Sequence, residues 1–138
     1  MSDEQDIQRV LVRYATAIDT RNWESLRSCF TQDARCDYGD VGRWSSAAEL
    51  CEFMDAAHVG FGRTNHMLSN FEIDVHGDSA HSRAYVHAVL ALLEDPKTWF
   101  DVVGTYEDVL TRTSRGWRIT KRIFETTRMI AGRGDGQQ

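Results

Sequence analysis

The stretch "RYATAIDTRNW" carries the first residue able to do chemistry, a carboxylate, Asp19, at the inner end of a largely apolar segment. An acid is unfavourable there, because the C-terminal end of a helix already carries partial negative charge. Either Asp19 caps the helix beginning just past Thr20, or it meets a partner from elsewhere in the chain. On a helical wheel it lies just past Ala15, at the border of the apolar arc, so both directions are open. An imidazole beside it would have its tautomer fixed and its protonated form favoured once a proton is taken. That is a general base oriented by an acid. Of the five histidines, His66 opens an alternating stretch and His87 sits in the apolar run "AYVHAVLALL". Each reads equally as a core histidine. His58, His76 and His81 fall at a helix end, in a turn and at a strand start, and carry no assigned role. The chain shows no metal-ligand spacing, phosphate loop or nucleotide fingerprint. The expectation is therefore chemistry with no cofactor and no metal.

The elements that must position these residues follow from periodicity. Ser2 with Gln5 reads as a capping box, and Ile7, Leu11, Tyr14 and Ile18 recur at helical spacing, predicting a helix over Asp3–Asp19. Trp23, Leu26 and Phe30 predict a second, shorter helix entered through Thr20 or Asn22. "DARCDYGD" reads as a short strand. Ser46 with Glu49 opens a third helix along Leu50, Phe53, Met54 and Ala57, ended by Gly60 and Gly62. Beyond Thr64 the pattern becomes β: a strand through "HMLSNFEIDVHGD", then Ala80–Leu93, Trp99–Thr113 and Trp117–Arg128, with residues 131–138 a frayed tail. Parity along the first of these puts His66 with Leu68 and Asn70, opposite Phe71, Ile73 and Val75. His66 then faces the interior only if a bulge intervenes or those three pack elsewhere.

One domain of about 130 residues is expected, α+β, with the N-terminal helices packed on a strongly curved antiparallel sheet that forms a cone-shaped barrel. A cone of that kind encloses a small-molecule pocket. Hydrophobic residues make up 41% and charged residues 27%, with one proline and ten glycines, ordinary for a globular protein. A net charge of −5 without a basic stripe argues against nucleic acid. The polar N-terminus has no secretory h-region and no apolar run approaches a bilayer's span, so a cytoplasmic protein with no membrane partner is expected. Cys29, Cys36 and Cys51 read as buried free thiols.

"RYATAIDTRNWESLRSCFTQDARCDY", "RTNHMLSNFEIDVHGDSAHSRAYV" and "GTYEDVLTRTSRGWRITKR", in this order and spacing, resemble the SnoaL-like branch of the nuclear transport factor 2-like superfamily from Ile7 to Arg128. The carrying features are Tyr-x4-Asp-x3-Trp at the helix end, Thr-x-His opening a strand, and the glycine–tryptophan turn near the C-terminus. The superfamily hosts enzymes and non-enzymes on one cone. In scytalone dehydratase and hexachlorocyclohexane dehydrochlorinase an acid at the end of the first helix pairs with a histidine opening a central strand. The resemblance thus implies an Asp19–His66 dyad. It also implies a carbonyl-polarising role for Tyr38, a leaving-group role for Arg122, and a match of Tyr14 to a bile-acid dehydratase tyrosine. The second histidine and the asparagine of scytalone dehydratase have no secure counterpart. His87 is about three positions off and Tyr106 stands at the asparagine, so that enzyme's substrate is not implied.

The expected function is a cofactor-independent lyase or isomerase, dehydration first, acting on a small hydrophobic, cyclic substrate. His66 would abstract a proton, Asp19 would orient it, and Tyr38 or Tyr14 would hold the oxyanion. Trp44, Phe53, His87, Phe100 and Tyr106 are the candidates to line the substrate pocket, with Trp44 as its lid. The rival is a non-catalytic binder or an accessory subunit of a ring-hydroxylating dioxygenase. In either case an open sheet face would need cover, so a homo-oligomer, dimer or trimer, is expected, with the Trp99 and Trp117 strands at its interface.

Overall fold

The computed structural model describes residues 2–134. Helix α1 (Asp3–Asp19) starts from Ser2, whose hydroxyl accepts the Gln5 amide while the Gln5 side chain accepts the Ser2 amide. Two of the donors a helix start leaves open are satisfied in this way. Ile7, Val10, Leu11, Tyr14, Ala17 and Ile18 are buried along one stripe of α1, which lies on the sheet. Helix α2 (Trp23–Arg27) is capped by Asn22, which accepts the Ser25 amide. It stops before Phe30, which instead opens the first strand. Helix α3 (Ala47–Ala57) is capped by Ser46, while the Glu49 side chain accepts the amide of Ser45.

The strands are β1 (Phe30–Asp37), β2 (Arg43–Trp44), β3 (Phe61–His76), β4 (Ser79–Leu92), β5 (Thr98–Thr113) and β6 (Gly116–Arg133). They form one sheet in the order β2-β1-β6-β5-β4-β3. The α+β class and the helices-on-sheet arrangement are as expected. The sheet departs from expectation in being open and mixed, with β1 parallel to β6. The chain reaches β6 only after α3 and the whole β3–β6 meander, the kind of long connection a parallel pair requires. The last strand also runs past Arg128 to Arg133, because β5 still offers partners there: Thr98 pairs with Arg133, and Gly132 leaves room for the Trp99 ring. Residues 131–133 are therefore strand rather than frayed tail, and 135–138 lie outside the described residues.

Register decides which side chains face the helices. His66 lies opposite Ala88, Ala88 opposite Val102, and Val102 opposite Met129, so all four share the concave face. The bulge that His66 needs is present. Between the pairs Ser69–Tyr85 and Glu72–Arg83, β3 has two residues where β4 has one, and Asn70 takes a left-handed φ of 53°. Asparagine tolerates that conformation better than most residues. The extra residue returns Phe71, Ile73 and Val75 to the same side as His66 and Leu68.

At the helix-covered end of this face, Arg122 of β6 and Asp108 of β5 form a two-pronged ion pair of 2.7 and 2.8 Å, with side chains 0% and 1% exposed. The Arg122 guanidinium carbon stands 4.3 Å from the Tyr14 ring centre and 3.8 Å from that of Tyr106. Ala80, Ser82, Ala84, Leu110 and Ile119, buried on the same face, close this end. Removing one member of a buried pair leaves an uncompensated charge, at a cost of about 3–5 kcal/mol. Asp108→Ala is expected to destabilise by that amount in urea melts, and the double variant Asp108→Leu/Arg122→Met to recover part of it. Equal loss in the double variant would show that the pair's charges are not the issue.

Candidate functional site

The other end of the concave face is left open. Leu68, Phe100 and Val102 are only half-buried there and Met129 is 50% exposed, although all point to the same side as the core. Apolar side chains there face inward yet remain in reach of solvent. Phe53 and Trp44, half-buried with ring centres 4.6 Å apart, and Phe61, 6.0 Å from Phe100, belong to the surrounding aromatic wall. A concavity of about 570 Å³ between the Gly39–Val41 turn and β6 is bounded by Tyr38, Phe124 and Met129. A second, of about 620 Å³, runs along the solvent side of α1 past Arg9, Val12 and Thr16, and neither concavity is lined by Asp19 or His66.

Asp19 ends α1 pointing at the start of β3. Its Oδ1 accepts the Nδ1–H of His66 at 2.8 Å and the hydroxyl of Thr64 at 2.9 Å, and its Oδ2 accepts the backbone amide of His66 at 2.8 Å. The alternative role, capping α2, is taken by Asn22. The side chains of His66 and Asp19 are 10% and 20% exposed. Because a carboxylate can only accept, the bond puts a proton on His66 Nδ1, and in the neutral ring Nε2 is then the nitrogen with the lone pair. Burial pushes the Asp19 carboxyl up, but the hydrogen bonds from His66 and Thr64 outweigh it and hold the group below its ordinary value.

Tyr14 and Tyr38 also meet, hydroxyl to hydroxyl at 2.6 Å, both buried. Tyr106 packs edge-on against Tyr14. Burial pushes all three phenols above their ordinary range, so they stay protonated. In the Tyr14–Tyr38 bond one hydroxyl gives its proton to the other, and the accepting hydroxyl keeps its own proton. Arg122, expected near a leaving group, is instead enclosed: Asp108 takes its Nε and Nη2, and Nη1 has no partner among the described residues. It holds the tyrosine rings from inside the core.

Three expected lining positions are on the concave side or its rim: Phe53, Phe100 and Tyr106. Trp44 is not a loop lid. It sits in β2, paired with Cys36 and packed against Tyr38 and Phe53. His87 is a correction. Strand alternation between the buried Val86 and Ala88 turns it to the opposite face, where it pairs with Asp101 at 2.5 Å, and Asp101 also receives Arg128. Sequence reading missed Thr64 and Arg21. Thr64 had a visible signal, lying two residues before His66 on the same strand face. Arg21 had none. The three cysteines are free and buried, as expected, and burial raises the Cys29 thiol to about 11 and Cys36 to about 12. No described helix is long and apolar enough to cross a membrane.

A carboxyl held below its unfolded value adds stability above that value, near 3.8, and loses it as the pH falls through the folded value. Urea melts from pH 6 to pH 3 are therefore expected to show a steeper acid loss in the wild type than in Asp19→Asn. Superimposable slopes would mean that Asp19 gains nothing from its donors.

The comparisons with known proteins agree with this architecture. An uncharacterised Mycobacterium tuberculosis protein is 33% identical over 124 residues, covering 89% of this chain and 84% of the relative. A Novosphingobium aromaticivorans crystal structure, named as a candidate aromatic ring hydroxylase, superposes with a TM-score of 0.86 at 27% identity, covering 94% and 93% of the two chains. A hexachlorocyclohexane dehydrochlorinase shares the fold, with a TM-score of 0.85 at 16% identity over 97% and 91%. The sequence profile of the SnoaL-like domain matches residues 1–123, and the chain belongs to that family.

Proposed function

We propose that the protein is a cofactor-independent lyase or isomerase for a small hydrophobic, ring-sized substrate, with dehydration the first reaction to test. The observation that carries this reading is the Asp19–His66 pair on the concave face, its Nδ1–H committed to the carboxylate, which leaves Nε2 as the lone-pair nitrogen of the neutral ring. His66 Nε2 would take a carbon-bound proton beside a carbonyl. The electron pair of that C–H bond becomes the new double bond as the hydroxyl on the adjacent carbon leaves. The leaving hydroxyl takes the proton from the imidazolium and departs as water. Asp19 steadies the transient cation, and the remaining hydroxyl proton of the Tyr14–Tyr38 pair donates to the carbonyl oxygen as charge builds on it.

The test is solvent-deuterium exchange at the α-carbon of cyclic ketones and β-hydroxyketones, followed by NMR. The wild type is expected to catalyse exchange, and His66→Gln to lower the rate by about 10²–10⁴. Exchange unchanged in His66→Gln would remove the base from the mechanism.

The second reading, a non-catalytic binder or accessory module of a ring-hydroxylating system, is favoured by the likeness to the Novosphingobium protein. Such a module would bind cyclic ligands yet show no exchange. Either reading includes self-association, because Met67, Tyr85, Val109 and Ile123 stay more than a third exposed on the outer sheet face. Sedimentation is expected to show a dimer or trimer that Tyr85→Asp weakens; a wild-type monomer at micromolar concentration would reject it.

A further inference from the structure

We infer that Arg21 and Thr64 form a one-way hydrogen-bond relay that fixes the Asp19 carboxylate and, through it, the tautomer of His66; the inference rests on the reading of His66 as a base. Arg21 follows the end of α1 with a φ of 57°, a left-handed conformation that disfavours any residue with a side chain beyond glycine or asparagine. Its guanidinium reaches four acceptors, one of them the Asp19 backbone carbonyl, a long contact of 3.5 Å from Nη1. Nη1 donates to the Ile18 carbonyl at 2.8 Å and to Thr64 Oγ1 at 2.9 Å, and Nη2 donates to the Gly62 carbonyl at 2.6 Å. The bond to Ile18 is what any basic residue past a helix end can make. The bonds to Gly62 and Thr64 are not. They tie the helix end to the first residues of β3.

Direction follows from chemistry. A guanidinium has donors only, so Thr64 must accept from it. Thr64 has one hydroxyl proton, and with Arg21 on its lone pair that proton goes to Asp19 Oδ1, 2.9 Å away. Thr64 is buried, so water does not compete freely for the hydroxyl. The carboxylate is then held by three donors in fixed places, two of them from His66. Among the described residues no carboxylate oxygen lies within 4.0 Å of the Arg21 guanidinium, so Arg21 touches Asp19 only at its backbone carbonyl and reaches the carboxylate through Thr64, not as a counter-ion. Both are positioning residues. Without the relay the carboxylate would be free to turn, and the Nδ1–H tautomer would lose part of its advantage.

The experiment is a ¹⁵N–¹H correlation spectrum of the histidine rings at about pH 8, above the ordinary histidine range. The proteins are the wild type, Arg21→Asn, Thr64→Val and Thr64→Ser. Asparagine keeps the left-handed backbone without the guanidinium, valine removes only the hydroxyl, and serine restores it. The wild type and Thr64→Ser are expected to show His66 protonated on Nδ1. Arg21→Asn and Thr64→Val should show an Nε2–H population on the order of a tenth or more, the loss expected when a charge-assisted hydrogen-bond network is cut. Amide spectra confirm that each variant is folded. Wild-type tautomers in both folded variants would overturn the relay and leave the dyad standing. A wild-type His66 protonated on Nε2 would overturn the base reading and the relay together.

Discussion

An arginine and an aspartate with no access to water, Arg122 and Asp108, constrain more of this molecule than any other contact. Removing two charges from solvent is costly, and here two close hydrogen bonds and the covering ring faces offset that cost, with Arg122 Nη1 left without a hydrogen-bond partner among the described residues. Here β5 and β6 must hold the register that sets Asp108 against Arg122. The guanidinium face must also be covered, and Tyr14 and Tyr106 cover it. Tyr14 belongs to α1, so the ion pair fixes how that helix is rotated on the sheet. Five residues further on, the same rotation brings Asp19 to the edge strand. A pair with no direct part in the proposed chemistry thereby sets where the chemistry can occur.

Asp19 shows how a locally unfavourable residue becomes globally consistent. At the C-terminus of α1 its charge opposes the helix dipole. Three donors from β3 more than offset this, and they also hold the start of an edge strand whose outer side has no neighbour. The joint between helix and sheet and the proposed proton-transfer pair are the same atoms. A local rule can be broken where the surrounding structure supplies compensation, and the donors around Asp19 supply it.

The sequence disclosed those parts whose physics is periodic. The α1 stripe and the meander follow from spacings of 3.6 and 2, whereas the side of His66 hung on a bulge or other packing near Phe71, and the bulge is present at Asn70. Longer-range pairings were less legible. The parallel β1–β6 contact joins residues from opposite ends of the chain, and no local pattern announces it. His87 was misread because an apolar run hides its alternation: Val86 and Ala88 face in and His87 faces out, yet all three look interior as letters. Asp19 and His66 were found through resemblance, Thr64 could have been found by parity, and Arg21 owes its role to one dihedral angle that composition does not encode.

The environments of the ionisable groups divide the labour that remains. Burial keeps Tyr14, Tyr38 and Tyr106 protonated, so none of them can act as a base near neutral pH; they can only donate. Arg122 has spent two of its nitrogens on Asp108 and is walled in by rings, so it cannot travel to a leaving group. Asp19 is saturated with donors, and its lowered pKa makes it a poor proton acceptor. His58 spends Nδ1 on the Met54 carbonyl, and burial lowers its affinity for a proton. In the proposed reading the one base is Nε2 of His66 and the neutral donor is a buried phenol, from Tyr14, Tyr38 or Tyr106. A site with one base and one neutral donor suits chemistry that moves a single proton and builds a single negative charge, which enolisation does and hydride transfer does not.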